Sequence, residues 1–431
     1  GAANHGGVTV TLTSSNPGIL LLSPDATTAG TASINIPVAN GSQFFSYYTQ
    51  GVEGQTGSPT ITATATGFSN GTLGHTVEQS ALDLQGVPAN TTTLSPDDAI
   101  YARVGVALGN TYLVAVENVR AGAPGPLTAT FTSSTPSVGN LVNTGGSGPT
   151  RTAQIPIGLY YTPTTVATGG VALHPILAGS TTISATIPGY LPIATSIRAV
   201  TISQPGITLN GFSYPVGSGL QLNAAGSLGA SNHGGVTVTV TSSNPGVLLL
   251  APDATTPGTG SITINVANGS TFFGYYVQGV EGQTGTVNLT ATASGFTNGT
   301  TTEMVVPPSL DLQGLPGTTT AGGADIAIYG RVGVADVNNQ FLVAVENVRA
   351  GGTGFTVSFT NANGTAATLV TTAGTGNVRT AQIVPGVYYT PTSVATGGVG
   401  FRPLQAGATT VTATSTGTNP TATATRGTSV Q

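Results

Sequence analysis

The chain contains no cysteine, no lysine and no tryptophan, and only one methionine. Without cysteine, neither disulfides nor thiolate metal sites can form. Charge is also scarce: 5% of the 431 residues are charged, against about 25% in an ordinary soluble protein. All nine basic residues are arginine and the formal charge is −5, which excludes the basic stripe that a nucleic-acid binder needs. No run of about 18 apolar residues is present to span a membrane as a helix. Gly1 reads as a mature or trimmed start rather than as a signal peptide.

What is abundant is turn and strand chemistry. The chain has 63 glycines and 27 prolines, and threonine recurs beside valine, isoleucine and alanine. Such residues favour turns and pleated strands over helices. A hydrophobic content of 39%, arranged in alternating runs, separates the chain from a disordered Gly/Pro-rich segment. Val8 to Thr13, Ile61 to Thr66 and Val287 to Thr292 alternate with period two, placing threonine on one face and apolar residues on the other. Asn-Pro-Gly at 16–18 and Asn-Gly at 40–41, 70–71, 268–269, 298–299 and 363–364 punctuate these runs. Many short strands without a 3.6-residue period predict sandwiches.

The chain repeats itself. Asn4 to Thr11 returns as Asn232 to Thr239 and Arg151 to Ile155 as Arg379 to Ile383, with a period of 228 residues, and Leu113 to Gly122 returns as Leu342 to Gly351, shifted by one more. Weaker echoes divide each half: TLTSSNP from Thr11 with TFTSSTP from Thr130, and LDLQGV from Leu82 with ITLNGF from Ile207. The fold class expected is therefore all-β, with four tandem immunoglobulin-like β-sandwich domains in a twofold 228-residue repeat: 1–80, 81–203, 204–308 and 309–431. Two periods exceed the chain by 25 residues, and the stretch without a counterpart is 204–228. The first domain thus lacks its opening strand in this chain. Either the chain is a slice of a longer repetitive protein, or a neighbouring subunit donates the strand.

One hairpin can be read residue by residue. Ala327 to Ala335 and Gln340 to Val348 flank Asn338-Asn339, and centring on that turn places Arg331 opposite Glu346. In the first half the loop is one residue shorter, centres on Asn110, and places Arg103 opposite Glu117. Both halves predict a cross-strand Arg–Glu pair that sets register.

A convergent catalytic set cannot be assembled. Of four histidines, His5 and His233 are repeat equivalents, whereas His75 aligns with Glu303 and His174 with Arg402. No HExxH, GxSxG or P-loop occurs, so no enzyme activity, metal or cofactor is expected. Asp25, Asp253 and Asp97-Asp98 read as turn-forming residues. Each predicted domain carries a tyrosine pair (Tyr47-Tyr48, Tyr160-Tyr161, Tyr275-Tyr276, Tyr388-Tyr389), one ring facing in and one out. Seven candidate N-glycosylation sequons stand at Asn40, Asn70, Asn90, Asn268, Asn288, Asn298 and Asn363.

Val8 to Pro24, the YYVQG of Tyr275 to Gly279, and Gly285 to Phe296 together resemble the bacterial Ig-like domains of large cell-surface proteins, the invasin/intimin-like and related repeat modules. That resemblance implies a passive stalk, fibre or adhesive array, located outside the cell or at its surface, and brings no active-site residues. The function expected is a structural repeat protein of an extracellular filament, sheath or surface layer, self-associating into a polymer or continuing in a longer chain. The alternative is an adhesin stalk or a carbohydrate-binding accessory array with surface glycans as partners.

Overall fold

The alternation read in the sequence is the alternation of burial. In a computed structural model that describes residues 3–431, strand Val8–Ser14 turns Val10 and Leu12 inward and Thr9, Thr11 and Thr13 outward. Strand Gly285–Thr292 likewise buries Val287, Leu289 and Ala291. The described residues form strands with four short 3-10 turns, and the fold is all-β. No helix is long and apolar enough to cross a membrane. The chain divides into two compact units, Gly1–Gln204 and Pro205–Gln431.

In the first unit, strands Ser33–Val38, Val8–Ser14, Thr60–Thr64 and Gly71–Gly74 form one sheet in that spatial order, and Leu20–Ser23 pairs with Tyr48–Gly51 in a two-stranded sheet. Val10, Leu12, Leu20, Leu22, Val38 and Ile61 form the small core between them. Further along, a seven-stranded sheet containing Ala81–Gln85 and Asp98–Leu108 lies with a five-stranded sheet containing Leu127–Ser133 and Ile197–Ser203. The core there is larger and is centred on Leu84, Ile100, Phe131, Leu141 and Ile183.

The second unit repeats these sheets with additions. Val236–Ser242, Ser261–Val266, Gly285–Thr292 and Gly299–Val306 gain a fifth strand, Val216–Gly217, which runs parallel to Gly299–Val306. Leu248–Ala251 and Phe272–Gly279 gain Leu220–Leu228 and Ile207–Leu209. The last two sheets, seven- and five-stranded, reproduce those of the first unit, with Phe359, Phe401, Leu310, Leu312 and Ile383 at their core.

The structure corrects the predicted Arg–Glu pairs. The turn centres are as read: Leu108 pairs with Tyr112 and Ala107 with Leu113, and Ala335 pairs with Leu342. One residue later each ladder slips at a β-bulge, so Val106 faces Ala115 and Val334 faces Ala344. A one-residue slip sends every subsequent side chain to the other face. Glu117 and Glu346 therefore bond through their backbone N–H groups to Val104 and Val332, one position beyond the arginines. Arg103 instead faces Asp83, and Arg331 faces Asp311, across the neighbouring strand.

The bulge had a signal in the sequence: Gly105 and Gly333, each inside a strand. A Cβ at Gly333 would lie 2.0 Å from the Ala344 carbonyl oxygen, and one at Gly105 equally close to that of Ala115. Gly333→Ala is expected to lower the stability of the second unit by about 1–3 kcal/mol, read as a lower denaturation midpoint. A neutral result would mean that the bulge relaxes at no cost.

Candidate assembly site

Of the stretch 204–228 that has no counterpart, the part within the second unit, 205–228, makes unusual connections. Its strand Leu220–Leu228 pairs antiparallel with Phe272–Gly279 over seven residues, from Gln221 opposite Gln278 to Ser227 opposite Phe272. Ala224, Gly226 and Leu228 point inward at every second position. Gly226 is required, because a Cβ there would lie 2.4 Å from the Phe273 ring. At its other end the strand pairs with Asn347–Val348, placing Leu220 opposite Val348. Leu220 is fully buried and belongs to the core of Leu310, Val332 and Phe359. One strand thus serves two sheet systems of the second unit.

Buried polar groups fasten it. The Gln221 side-chain oxygen accepts from the Ala350 backbone N–H and from Gln278 Nε2, both at 3.1 Å, and its amide donates to the Ala254 carbonyl at 2.9 Å. Gln278, itself fully buried, also donates to the Thr256 carbonyl and accepts from the Gly258 N–H. Arg349 forms a two-pronged ion pair with Glu281, its Nε 2.9 Å from Oε1, and its backbone N–H donates to the Gly219 carbonyl.

Two carboxyl groups sit under the same turn. Val216 N–H donates to Glu303 Oε1 at 2.9 Å, and Gly217 N–H donates to Glu346 Oε2 at 2.8 Å. Both glutamates are 2% exposed, and Glu346 Oε1 has no hydrogen-bond partner. Burial without a cation pushes Glu346 up to about 8 and Glu303 up to about 7; the backbone donors only partly offset this, and Glu303 adds to the shift of Glu346. The Tyr275 hydroxyl, also buried and unpartnered, is raised by burial and by Glu303.

In the first unit the equivalent edge is open. The counterpart of Phe272–Gly279 is a strand of four residues, Tyr48–Gly51, paired on one side only with Leu20–Ser23. Phe45 is 37% exposed where Phe273 is 3%, and Phe68 is 40% exposed where Phe296 is 4%. Phe44 stands almost fully in solvent. A cleft of about 200 Å³ opens beside the four-stranded sheet, lined by His5, Val10, Val38, Phe45, Ala63 and Phe68 among others. Glu117, the counterpart of Glu346, is exposed here.

The remaining charged groups hold the scaffold. Arg103 reaches Asp83 with Nε and Nη2 at 3.1 and 2.7 Å, and Gln85 adds a bond to the same carboxylate; Arg331, Asp311 and Gln313 repeat the arrangement. Hydrogen bonding to the carboxylate raises both arginines further above their usual range. Asp311 is nearly fully buried, so Arg331→Ala leaves a buried charge and is expected to cost about 2 kcal/mol, below the loss at fully buried pairs because Arg331 is partly exposed. A denaturation curve unchanged from wild type would remove the pair from the structural account. His174 and Arg402, aligned in the repeat, hold the equivalent residues Asp97 and Asp325. Every arginine is engaged: Arg120 with Glu53, Arg198 and Arg426 with the carbonyls of Leu84 and Leu312, and Arg151 and Arg379 with those of Gly146 and Gly374.

Asp25 and Asp253 close exposed turns. Asp25 Oδ1 accepts from the N–H groups of Thr27 and Thr28 at 2.8 Å, and threonine hydroxyls complete the set, which holds both aspartates down at about 2. Among the described residues no three His, Asp or Glu side chains are grouped as metal ligands. His5 and His233 brace turns, each bonding the carbonyl of Ser42 or Ser270 and accepting from the N–H of Gly7 or Gly235. Asn40, Asn70, Asn90, Asn268, Asn288 and Asn298 are exposed, whereas Asn363 is half-buried and its amide donates to the Ala408 carbonyl. The tyrosine beside each Arg–Asp pair meets its neighbours edge-on: Tyr161 with Tyr101 at 72° and Tyr389 with Tyr329 at 67°, leaving no coplanar platform.

Sequence reading missed the buried polar set of Gln221, Gln278, Glu303 and Glu346. Its one visible trace was the recurrence of Gln in YTQG and YVQG, Gln50 and Gln278, at the end of an apolar strand.

No protein-family model matches the chain, and no curated protein matches it. Among solved structures it is similar to the S-layer protein SbsC at 15% identity, covering 87% of this chain and 44% of that one, with a TM-score of 0.27. It therefore spans less than half of that chain. A tetra-tandem repeat from the extending region of a large adhesion protein aligns at 14% identity over 100% and 93% of the two chains, TM-score 0.18. The adhesin InvE of Yersinia pseudotuberculosis aligns at 16% identity over 59% and 67%, TM-score 0.21. At these scores the alignments carry no argument about function.

Proposed function

We propose that the chain is a structural repeat protein of an extracellular or cell-surface filament, sheath or surface layer, without catalytic activity. In this reading its sheets form four immunoglobulin-like sandwiches, 1–80, 81–203, 204–308 and 309–431. The observation that carries it is the single strand Leu220–Leu228, hydrogen-bonded to Phe272–Gly279 on one flank and to Asn347–Val348 on the other. A strand shared in this way resists bending between successive sandwiches, which is what a load-bearing array requires. The use of charge supports it, since the arginines and their acids are committed to holding strands and turns. Assembly proceeds by strand donation at the open edge of Tyr48–Gly51, whose unpaired backbone groups and exposed phenylalanines invite pairing.

Negative-stain microscopy with intact-mass analysis of native material tests the proposal. Long uniform fibres or sheets built from this chain, or from a longer chain containing it, are the expected result. Monodisperse particles that never associate, from chains of about the mass of this one, would overturn it in favour of a monomeric adhesin stalk.

A further inference from the structure

We infer that the open edge of the first unit is a receptor for one peptide strand, a further copy of the Pro205–Leu228 segment carried by a neighbouring repeat of the same protein. The inference rests on the assembly reading above and names its partner.

The occupant is identified by the second unit, where the same surface is filled. Ile207 N–H bonds the Thr297 carbonyl and Thr297 N–H bonds that of Pro205, while Ile207 and Leu209 are buried. The positions that receive the segment there are Phe272, Phe273, Tyr275, Tyr276, Gln278 and Gly279. Their repeat equivalents are Phe44, Phe45, Tyr47, Tyr48, Gln50 and Gly51, so 44–51 matches Phe272–Gly279 at six of eight places and differs where Ser46 stands for Gly274 and Thr49 for Val277. The receptor face of the second unit is therefore largely repeated in the first, where Tyr48–Gly51 is paired on one side only.

Glycine use points the same way. A Cβ on Gly299 would lie 2.4 Å from the Ile207 carbonyl oxygen, so the docked segment forbids a side chain there. The equivalent residue, Gly71, has no atom within 4 Å of its Cβ position and lines the open cleft. Nothing within the first unit demands a glycine at 71, whereas an incoming strand does. Gln50 carries the same unfinished arrangement: it donates to Thr28 and accepts from Gly30, as Gln278 does with Thr256 and Gly258, and lacks only the Gln221 partner.

The register follows. The incoming residue equivalent to Gln221 sits opposite Gln50, and that equivalent to Ser227 sits opposite Phe44. The turn before it brings an N–H to Glu117, as Gly217 does to Glu346, and the leucine equivalent to Leu220 comes opposite Val119, as Leu220 does opposite Val348. Docking thus ties strand Tyr48–Gly51 to the segment that follows Tyr112–Val116.

The test uses the 431-residue chain and a fluorescent synthetic peptide of sequence 205–228. Saturable one-to-one binding is expected, with new hydrogen-exchange protection at 44–51 and 69–73. Gly71→Val, which places its side chain in open space and leaves the melting curve of the free chain unchanged, is expected to weaken binding at least tenfold. A peptide carrying Asp at the positions of Ile207 and Leu209 is expected not to bind. Absence of binding to the folded chain, protection at 272–279 instead, or indifference to Gly71→Val would each overturn the inference. Fibres without peptide binding would leave the assembly reading standing and remove this partner; peptide binding by chains that never assemble would do the reverse.

Discussion

Leu220→Ala is expected to destabilise the second unit by about 3–4 kcal/mol, within the 2–5 kcal/mol range of buried leucine truncations. Leu220 is fully buried and lies in a core made by residues more than 80 positions further along the chain. The truncation opens a cavity in that core and loosens the strand whose next residue, Gln221, holds Gln278, Ala350 and Ala254. For a unit of this length each kcal/mol moves the melting temperature by roughly 2–4 °C, so a drop of roughly 10 °C is the readout. The first unit has no Leu220 counterpart, so a transition belonging to it should stay in place. A shift of the second unit by less than about 1 kcal/mol would mean that the segment is not a structural staple.

The second large effect is on pH. Glu346 and Glu303 are raised by burial to about 8 and about 7, above the ordinary glutamate value near 4.3. The folded state therefore binds protons that the unfolded chain has released. Their contribution to stability is fully present below the ordinary carboxyl range and is lost as pH rises through about 7 and 8, after which the profile flattens. The groups facing this pocket are the two glutamates and the Tyr275 hydroxyl, with the nearby Arg349 bound to Glu281. Between pH 5 and 9 this amounts to about two and three pH units for the two groups, a loss of several kcal/mol and at most about 7 at about 1.4 kcal/mol per unit. Glu346→Gln, which keeps an oxygen for the Gly217 N–H, should remove most of this slope and raise stability at pH 9. Melting temperature against pH for the two chains checks it, and parallel profiles would show that Glu346 is not the titrating group. Asp25 and Asp253 act oppositely, their contribution present above the ordinary range and lost as pH falls toward about 2. Because they are repeat equivalents, they act alike on both units.

The strands were legible because threonine alternates with apolar residues at period two, as Val8–Ser14 and Gly285–Thr292 show. The turn centres were legible from Asn110 and from Asn338-Asn339, where Asn339 adopts φ 53°. The register beyond those turns was not. It depends on where the ladder slips, and the marker was a strand glycine rather than a charge. The Arg–Glu reading failed for that reason: opposite charges at compatible spacing pair only if no intervening bulge turns them to opposite faces. The buried polar set was hidden for a different reason. Gln221, Glu303 and Glu346 lie far apart in sequence and meet only because the 216–221 turn folds between two sheet systems. The repeat arithmetic exposed the segment, but its partners required the fold.

The tethering of the arginines has a consequence for how such a chain survives chemical attack. With no lysine, proteases that cleave after basic residues have only arginine to recognise, and amine-directed cross-linking or glycation finds no side-chain target. Seven of the nine arginines lie within strands, and the other two, Arg120 and Arg349, are held in ion pairs with only 15% and 13% of their side chains exposed. Cleavage requires an extended, released stretch of backbone, so each of these bonds must first open locally. The features that keep the sheets in register therefore also leave trypsin-like enzymes little purchase on the folded protein.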